Sequence, residues 1–343
     1  MHGTRKPSLR QRSAALLLAI LLGLVLNPRQ VWASQGDTRQ LIPMGTAVGI
    51  KLFSDGVIVV STSDLNTSGT SPAKDCGLKE GDLILRINNE EIQSTEHLQS
   101  VLQETGTAPV TLTVRRGGTT MEKKTCAVEC PDGVYRLGVW IRDSMAGIGT
   151  LTFYDPETGS YGALGHGITD VDTHVLMPLS AGSIMETTVR AVKKGQRGQP
   201  GELKGDFSFQ RDLGTVSANT TAGIFGTVSD ESFAGDARPI PVAKAGEVHV
   251  GEASILCTVS GDRTESYRVE IVRVSPNKQD MRNLLLRVTD QRLLDATGGI
   301  VQGMSGSPII QNGKFVGAVT HVLVNDPTQG YGILMENMLK MAG

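Results

Sequence analysis

Apolar residues along this chain recur mostly with a period of two. They fall in short runs separated by Gly, Asp, Asn and Pro, the pattern of β-strands joined by tight turns. Val48-Gly49-Ile50-Lys51-Leu52 and Val57-Ile58-Val59-Val60 are predicted as a strand pair turning at Ser54-Asp55-Gly56. Ser61 to Pro72 is a loop rich in Ser, Thr and Asn. One segment departs from period two: Thr95 to Glu104 puts Leu98, Val101 and Leu102 on one face and ends before Gly106, which predicts a single helix. Strands resume from Pro109 to Arg115 and, after the Gly117-Gly118 turn, near Met121 to Val128. Past Pro131-Asp132-Gly133 come many short β-type runs, among them Gly149–Phe153 and Glu247–Val250, with turns at Asp155–Gly159 and Gln311–Lys314. That stretch predicts a barrel or sandwich of about 200 residues. The first 35 residues differ in kind. Arg5, Lys6, Arg10 and Arg12 precede an unbroken apolar run from Ala14 to Leu26, followed by Val31-Trp32-Ala33. A basic start, an apolar core of this length and a V-x-A end predict an export signal. The run is short for a full membrane span, although an uncleaved signal would act as an anchor.

Composition narrows the class. A chain of 343 residues suits two domains after a targeting segment, and 39% hydrophobic residues suffice for a sizeable core. A net charge of −2 argues against nucleic-acid binding. Cys76, Cys126, Cys130 and Cys257 form no C-x-x-C pair and no metal-type spacing, so neither metal nor cofactor is expected. A bridge between Cys126 and Cys130 would require the backbone to bend between them.

The run Gly77-Leu78, Gly81-Asp82-Leu83-Ile84 and Ile87-Asn88 resembles the signature of bacterial PDZ domains. The expected organisation is therefore mainly β: an export signal or anchor over 1–35, a small α+β PDZ domain over 36–118 with a partly open barrel and one or two helices, and an all-β, chymotrypsin-like barrel over 119–343. The resemblance implies peptide binding by strand addition, with the ligand carboxylate in a loop of backbone N–H groups. The expected loop is Pro43 to Gly49, leading into the strand Ile50 to Leu52, with Gly45, Val48, Gly49, Ile50 and Leu52 as the peptide-binding residues. A PDZ fold acting only as a spacer is the alternative.

Candidate chemistry centres on Gly303-Met304-Ser305-Gly306-Ser307-Pro308, which has the glycine spacing of the nucleophile loop in chymotrypsin-like peptidases. Glycine before the serine lets the N–H groups of Gly303 and Ser305 point at one oxygen and form an oxyanion hole. Gly306 is expected to let the substrate chain pass closely, and Ser307 is the second choice of nucleophile. The serine needs a base. Of the six histidines, His166 in Gly165-His166-Gly167 is the first candidate, because flanking glycines leave its ring accessible; His321 is the second. His97 is expected to face solvent or line a groove, and His174 and His249 to lie in strand-like contexts. For the acid that orients the imidazole, Asp290 and Asp170 rank equally.

Leu137-Gly138-Val139-Trp140-Ile141-Arg142-Asp143-Ser144, Gly149–Tyr154, Ala163-Leu164-Gly165-His166 and Gly298–Pro308 together closely resemble the stage IV sporulation protein B peptidases. The order of signal, PDZ domain and peptidase domain is similar too. The resemblance implies His166 as base, Asp290 as orienting acid and Ser305 as nucleophile. It further implies export into the space between forespore and mother cell, cleavage of a membrane-associated regulator that leads to sigma-factor activation, self-processing near the N-terminus, and a PDZ ligand that includes the protein's own segments. Two other readings stand beside it: a non-catalytic PDZ adaptor, and a Ser–Lys dyad protease in which Lys314 is the nearest lysine after Ser305.

Overall fold

The computed structural model describes residues 39–66, 69–229, 234–276 and 281–342. The expected export signal lies outside the described residues. Runs of period two form strands throughout. In chain order they are β1 (Gln40–Pro43), β2 (Ala47–Thr62), β3 (Leu83–Ile87), β4 (Glu90–Glu91), β5 (Pro109–Arg116), β6 (Thr119–Cys126), β7 (Val128–Glu129), β8 (Tyr135–Arg136), β9 (Val139–Asp155) and β10 (Ser160–Ala163). There follow β11 (Ala181–Lys193), β12 (Glu202–Thr220), β13 (Gly223–Val228), β14 (Ile240–Pro241), β15 (Gly251–Cys257), β16 (Glu265–Val274), β17 (Leu284–Val288), β18 (Pro308–Gln311), β19 (Lys314–Leu323) and β20 (Asp326–Leu334). Among the described residues four α-helices punctuate them: α1 (Pro72–Asp75), α2 (Thr95–Thr105), α3 (Gln291–Thr297) and α4 (Met335–Leu339).

Pairing of β9–β10–β13–β12–β11–β2, with β2 returning to β9, closes one six-stranded barrel. A second closed barrel runs β15–β16–β17–β20–β19–β18. Each has its own apolar centre, around Leu52, Leu151 and Tyr161 in the first and Ile255, Leu286 and Ile309 in the second. Between them Leu41, Phe153 and Phe225 pack with Phe315, Ile333 and Met338. The PDZ-like unit carries a third centre, in which Leu98, Val101 and Leu102 of α2 meet Ile84, Leu112 and Val114. The helix begins where predicted because the Ser94 hydroxyl caps the His97 N–H, and it ends at Gly106. The expected Gly81-Asp82 signature has a structural job. Asp82 is fully buried, accepts two hydrogen bonds from Arg116 and a third from the Lys79 N–H.

Two sequence expectations change. Ser54-Asp55-Gly56 is not a hairpin turn: β2 runs on as one strand and both halves pair with β9, the extra residues being taken up between Phe53↔Ser144 and Ile58↔Arg142. At that irregularity β2 exchanges its other neighbour, β11, for β3. A long partner strand outweighs a local turn signal because it satisfies the backbone groups on both flanks. The boundary at 118 moves for the same reason. β1 and the first half of β2 belong to the first barrel, whereas Val139 to Arg142 complete the PDZ-like unit. All four cysteines are free thiols.

Candidate active site

Ser305, His166 and His321 meet in one cavity of about 790 Å³ between the two barrels. Each arrives from a different element. Ser305 sits in the loop before β18, and His321 near the end of β19. His166 follows β10, where Leu164 and Gly165 both adopt φ +69, a left-handed break that turns the chain out of the strand. The two imidazole rings lie 4.9 Å apart. His166 Nδ1 lies 2.9 Å from the Gly167 carbonyl, which only accepts, so Nδ1 carries the proton and Nε2 is the free base nitrogen. Ser305 Oγ donates to the Thr320 carbonyl at 2.7 Å.

The nucleophile loop is held by β9. Thr150 Oγ1 donates to the Gly303 carbonyl at 2.7 Å, and the Thr150 N–H donates to the Ser305 carbonyl at 3.0 Å. With those carbonyls tied, the N–H groups of Gly303 and Ser305 have no acceptor among the described residues. They are the donors an oxyanion needs. Gly306 serves a different purpose from the expected one. A Cβ there would stand 2.1 Å from the Thr150 carbonyl and 2.6 Å from the Leu164 N–H, so its bare backbone lets the nucleophile loop press against β9 and the histidine loop rather than admitting substrate. Ser307 is fully buried and bonded to the Met304 carbonyl, which removes it as a nucleophile.

The structure does not bring Asp290 to the imidazole. Its carboxylate caps α3 at the Arg292 N–H, accepts from the Arg268 N–H and pairs with the Arg292 guanidinium, which holds its pKa down at about 2. Asp170 is equally committed. It is fully buried, ties the Asp172 and Thr173 N–H groups into a turn and pairs with Arg142 of β9. Lys314 pairs with Glu247 at 2.6 Å and does not line the cavity. Burial pushes the His166 pKa below its ordinary value, against a smaller upward pull from the Gly167 carbonyl. His321 is pushed down to about 4, first by desolvation and then because a second proton beside the His166 ring and the Arg282 guanidinium would meet like charge. Both imidazoles are therefore neutral near pH 7.

Thr150, Arg282 and His174 are site residues the sequence did not single out. His174 stands not in a strand but in the turn after Asp170, at φ +57, and lines the cavity. A buried threonine in an apolar strand gives no signal of its own, because its importance lies in a contact with residues far along the chain. His97 bonds Glu90 at 2.9 Å, away from the cavity.

The expected peptide-binding strand is also relocated. Gly49, Ile50 and Leu52 are enclosed on both sides: Ile50 is opposite Gly147 of β9 and Ile184 of β11, leaving no edge to add to. Gly45 packs on Leu256, and Val48 is fully buried. An open groove lies elsewhere, a cavity of about 700 Å³ between α2 and the start of β9, lined by Leu98, Leu102, Leu137, Val139 and Ile141. The signal was present in Leu137-Gly138-Val139, a glycine between apolar residues at a strand start, but it lies beyond the segment assigned to the small domain.

A family model described as SpoIVB peptidase S55 matches residues 133–339, more than half of the chain. The chain belongs to the SpoIVB peptidase S55 family. A PDZ domain model matches residues 69–116. A segment is similar to the probable protease eep of Enterococcus faecalis, 34% identical over 84 residues, covering 22% of this chain and 20% of that relative. Among solved structures, Rv3671c protease from M. tuberculosis in its active form covers 59% of this chain and 75% of its own, at 16% identity and TM-score 0.32. The HtrA-type protease AlgW with a decapeptide covers 88% and 64%, at 7% identity and TM-score 0.36. As a member of the S55 family the chain is a serine peptidase with a PDZ domain.

Proposed function

We propose that this S55 peptidase is an exported serine endopeptidase that makes limited, regulatory cleavages during sporulation. Its substrate is a membrane-associated regulator whose cutting leads to sigma-factor processing, and its N-terminal segment directs export or holds it at the membrane. The observation that carries the chemical part is one cavity holding the Ser305 hydroxyl, the His166 imidazole and two N–H groups without acceptors among the described residues. The cellular part rests on the family alone.

In the proposed cycle Ser305 Oγ turns from the Thr320 carbonyl toward His166 Nε2, which takes its proton as Oγ attacks the scissile carbonyl. The Gly303 and Ser305 N–H groups hold the resulting oxyanion. His166 then gives the proton to the leaving amine, and water, activated by the same imidazole, releases the acyl group. The Gly167 carbonyl takes the orienting part that a carboxylate plays in a triad, since it fixes the tautomer of His166. Asp290 keeps α3 and the Arg268 strand in place.

The test uses protein lacking residues 1–35, a serine-directed fluorophosphonate and self-cleavage as readouts. Wild type and His321→Gln label and cleave; Ser305→Ala does neither, and His166→Ala labels at least a hundredfold more slowly, on the order of the loss of a general base. Absence of both labelling and cleavage in the wild type would leave the adaptor reading. Labelling that survives Ser305→Ala would move the nucleophile.

A further inference from the structure

Among the described residues no strand pairs with one edge of β9 over most of its length. From Val139 to Thr150 it is joined to β2 on one side. On the other side strand pairing begins only at Leu151, opposite Ala163. None of the residues 139–148 is buried. Both cavities open onto this stretch. Val139, Trp140 and Ile141 line the groove beside α2, and Met145 to Ile148 line the cavity that holds Ser305.

The start of the stretch suits an anion. The Leu137 carbonyl accepts from the Ala73 N–H and the Gly138 carbonyl from the Ser63 N–H. The N–H groups of Leu137 and Gly138 have no acceptor among the described residues, and Arg136, whose guanidinium is paired with Asp132 at 2.7 Å, stands at the rim of the same groove. Gly138 sits at φ +74, and a Cβ there would lie 2.5 Å from the Ser63 carbonyl, so the loop requires glycine. Two free N–H groups beside an apolar groove fit a chain-terminal carboxylate with an apolar last side chain. A peptide that places its C-terminus at the beginning of β9 runs antiparallel to it. Its chain therefore heads toward Ile148, Thr150 and the serine that Thr150 holds.

We propose that this edge is one continuous docking track for an extended polypeptide tail with a free C-terminal carboxylate and an apolar last residue, and that it sets the cut at a fixed distance from the C-terminus. One residue of tail per residue of β9 puts the scissile bond about nine to eleven residues from the end, roughly 30–36 Å of strand. The polarity also fits acyl transfer, because the part held on β9 is the leaving-amine fragment. This inference rests on Ser305 being the nucleophile.

The test offers protein lacking residues 1–35 a pool of peptides of about twenty residues. Their N-terminal halves are randomised, and they share a polar C-terminal half closed by valine. Products are sized by mass spectrometry. The expected result is release of a fragment about nine to eleven residues long. Three residues added at the C-terminus shift the cut by three, and C-terminal amidation lowers kcat/KM by about tenfold or more. Cuts that follow local sequence and ignore the C-terminus overturn the track. Where no peptide is cut, binding of the fluorescein-labelled pool to Ser305→Ala is compared as acid and amide; equal affinity likewise overturns it. Fluorophosphonate labelling runs in parallel. Labelled Ser305 with tail-indifferent cutting defeats the track alone, whereas labelling that persists in Ser305→Ala defeats the nucleophile.

Discussion

At Asp290 the carboxylate serves the chain rather than the reaction, and two substitutions separate those roles. Asn caps a helix as well as Asp does, whereas Ala leaves the Arg292 and Arg268 N–H groups without their acceptor. Asp290→Asn is expected to keep kcat within about tenfold, and Asp290→Ala to cost about 1–2 kcal/mol in a denaturant titration, the usual worth of a cap. A loss of three to four orders of magnitude in the Asn variant would instead put the carboxylate at the ring in the working enzyme. The acid titration has a definite sign. The Asp290 pKa is depressed to about 2, so its contribution is full above the ordinary carboxylate pKa of 3.8 and is lost as pH falls through about 2. His166 gives a second residue-scale prediction. A base must be neutral, and burial lowers its pKa from 6.5. The acid limb of kcat/KM is then expected to lie below 6.5; a limb at or above 6.5 would show a ring that is solvated or paired with a carboxylate. His321, at about 4, stays neutral through that limb.

β9 is the element on which these residues depend. It carries the groove residues at one end, Arg142 against Asp170 and Asp172 of the histidine loop in the middle, and Thr150 against the nucleophile loop at the far end. Thr150→Val keeps the shape but removes the hydroxyl that anchors the Gly303 carbonyl, so the Gly303 backbone is held less firmly and its own N–H is less well aimed at the oxyanion position. The expected outcome is a fall in kcat of about ten- to a hundredfold with KM little changed, since the donors matter most in the transition state. A change confined to KM, or to the melting temperature, would make Thr150 a packing residue only. The same strand explains what was legible in the sequence. Gly303–Pro308, the α2 face and the Gly81-Asp82 turn are local patterns, and each was readable from adjacent residues. The enclosure of Ile50 between β9 and β11, the run of β2 through its Gly56 turn signal and the commitment of Asp290 to Arg268 all depend on pairings with residues distant along the chain. Period two says that a segment is a strand; it does not say which strand lies beside it.

On the scale of the whole molecule, the PDZ-like unit and the peptidase share two strands rather than a linker. β2 closes the first barrel between β9 and β11 with its first half and pairs with β3 in the small unit with its second half. Cutting the chain at 118 therefore removes a wall of the barrel. A fragment 119–343 would expose the β9 and β11 edges and lose Leu41, Val48, Ile50 and Leu52, all buried. At about 1.5–3 kcal/mol for each such side chain the loss is about 6–12 kcal/mol, comparable with the 5–15 kcal/mol that typically separates a folded domain from its unfolded state. That fragment is expected to show no cooperative unfolding transition and poor amide dispersion. A different excision respects the pairing. Phe53 lies opposite Ser144 at the last register position of the barrel, so residues 54–143 can be replaced by a short turn such as Asn-Gly without breaking a barrel strand pair. The resulting barrel is expected to fold and to label at Ser305, yet to treat peptide acids and amides alike, because the carboxylate loop has gone. A folded, labelling fragment 119–343 would refute the shared-strand account. A shortened barrel that still distinguished acid from amide would locate carboxylate recognition in the peptidase itself.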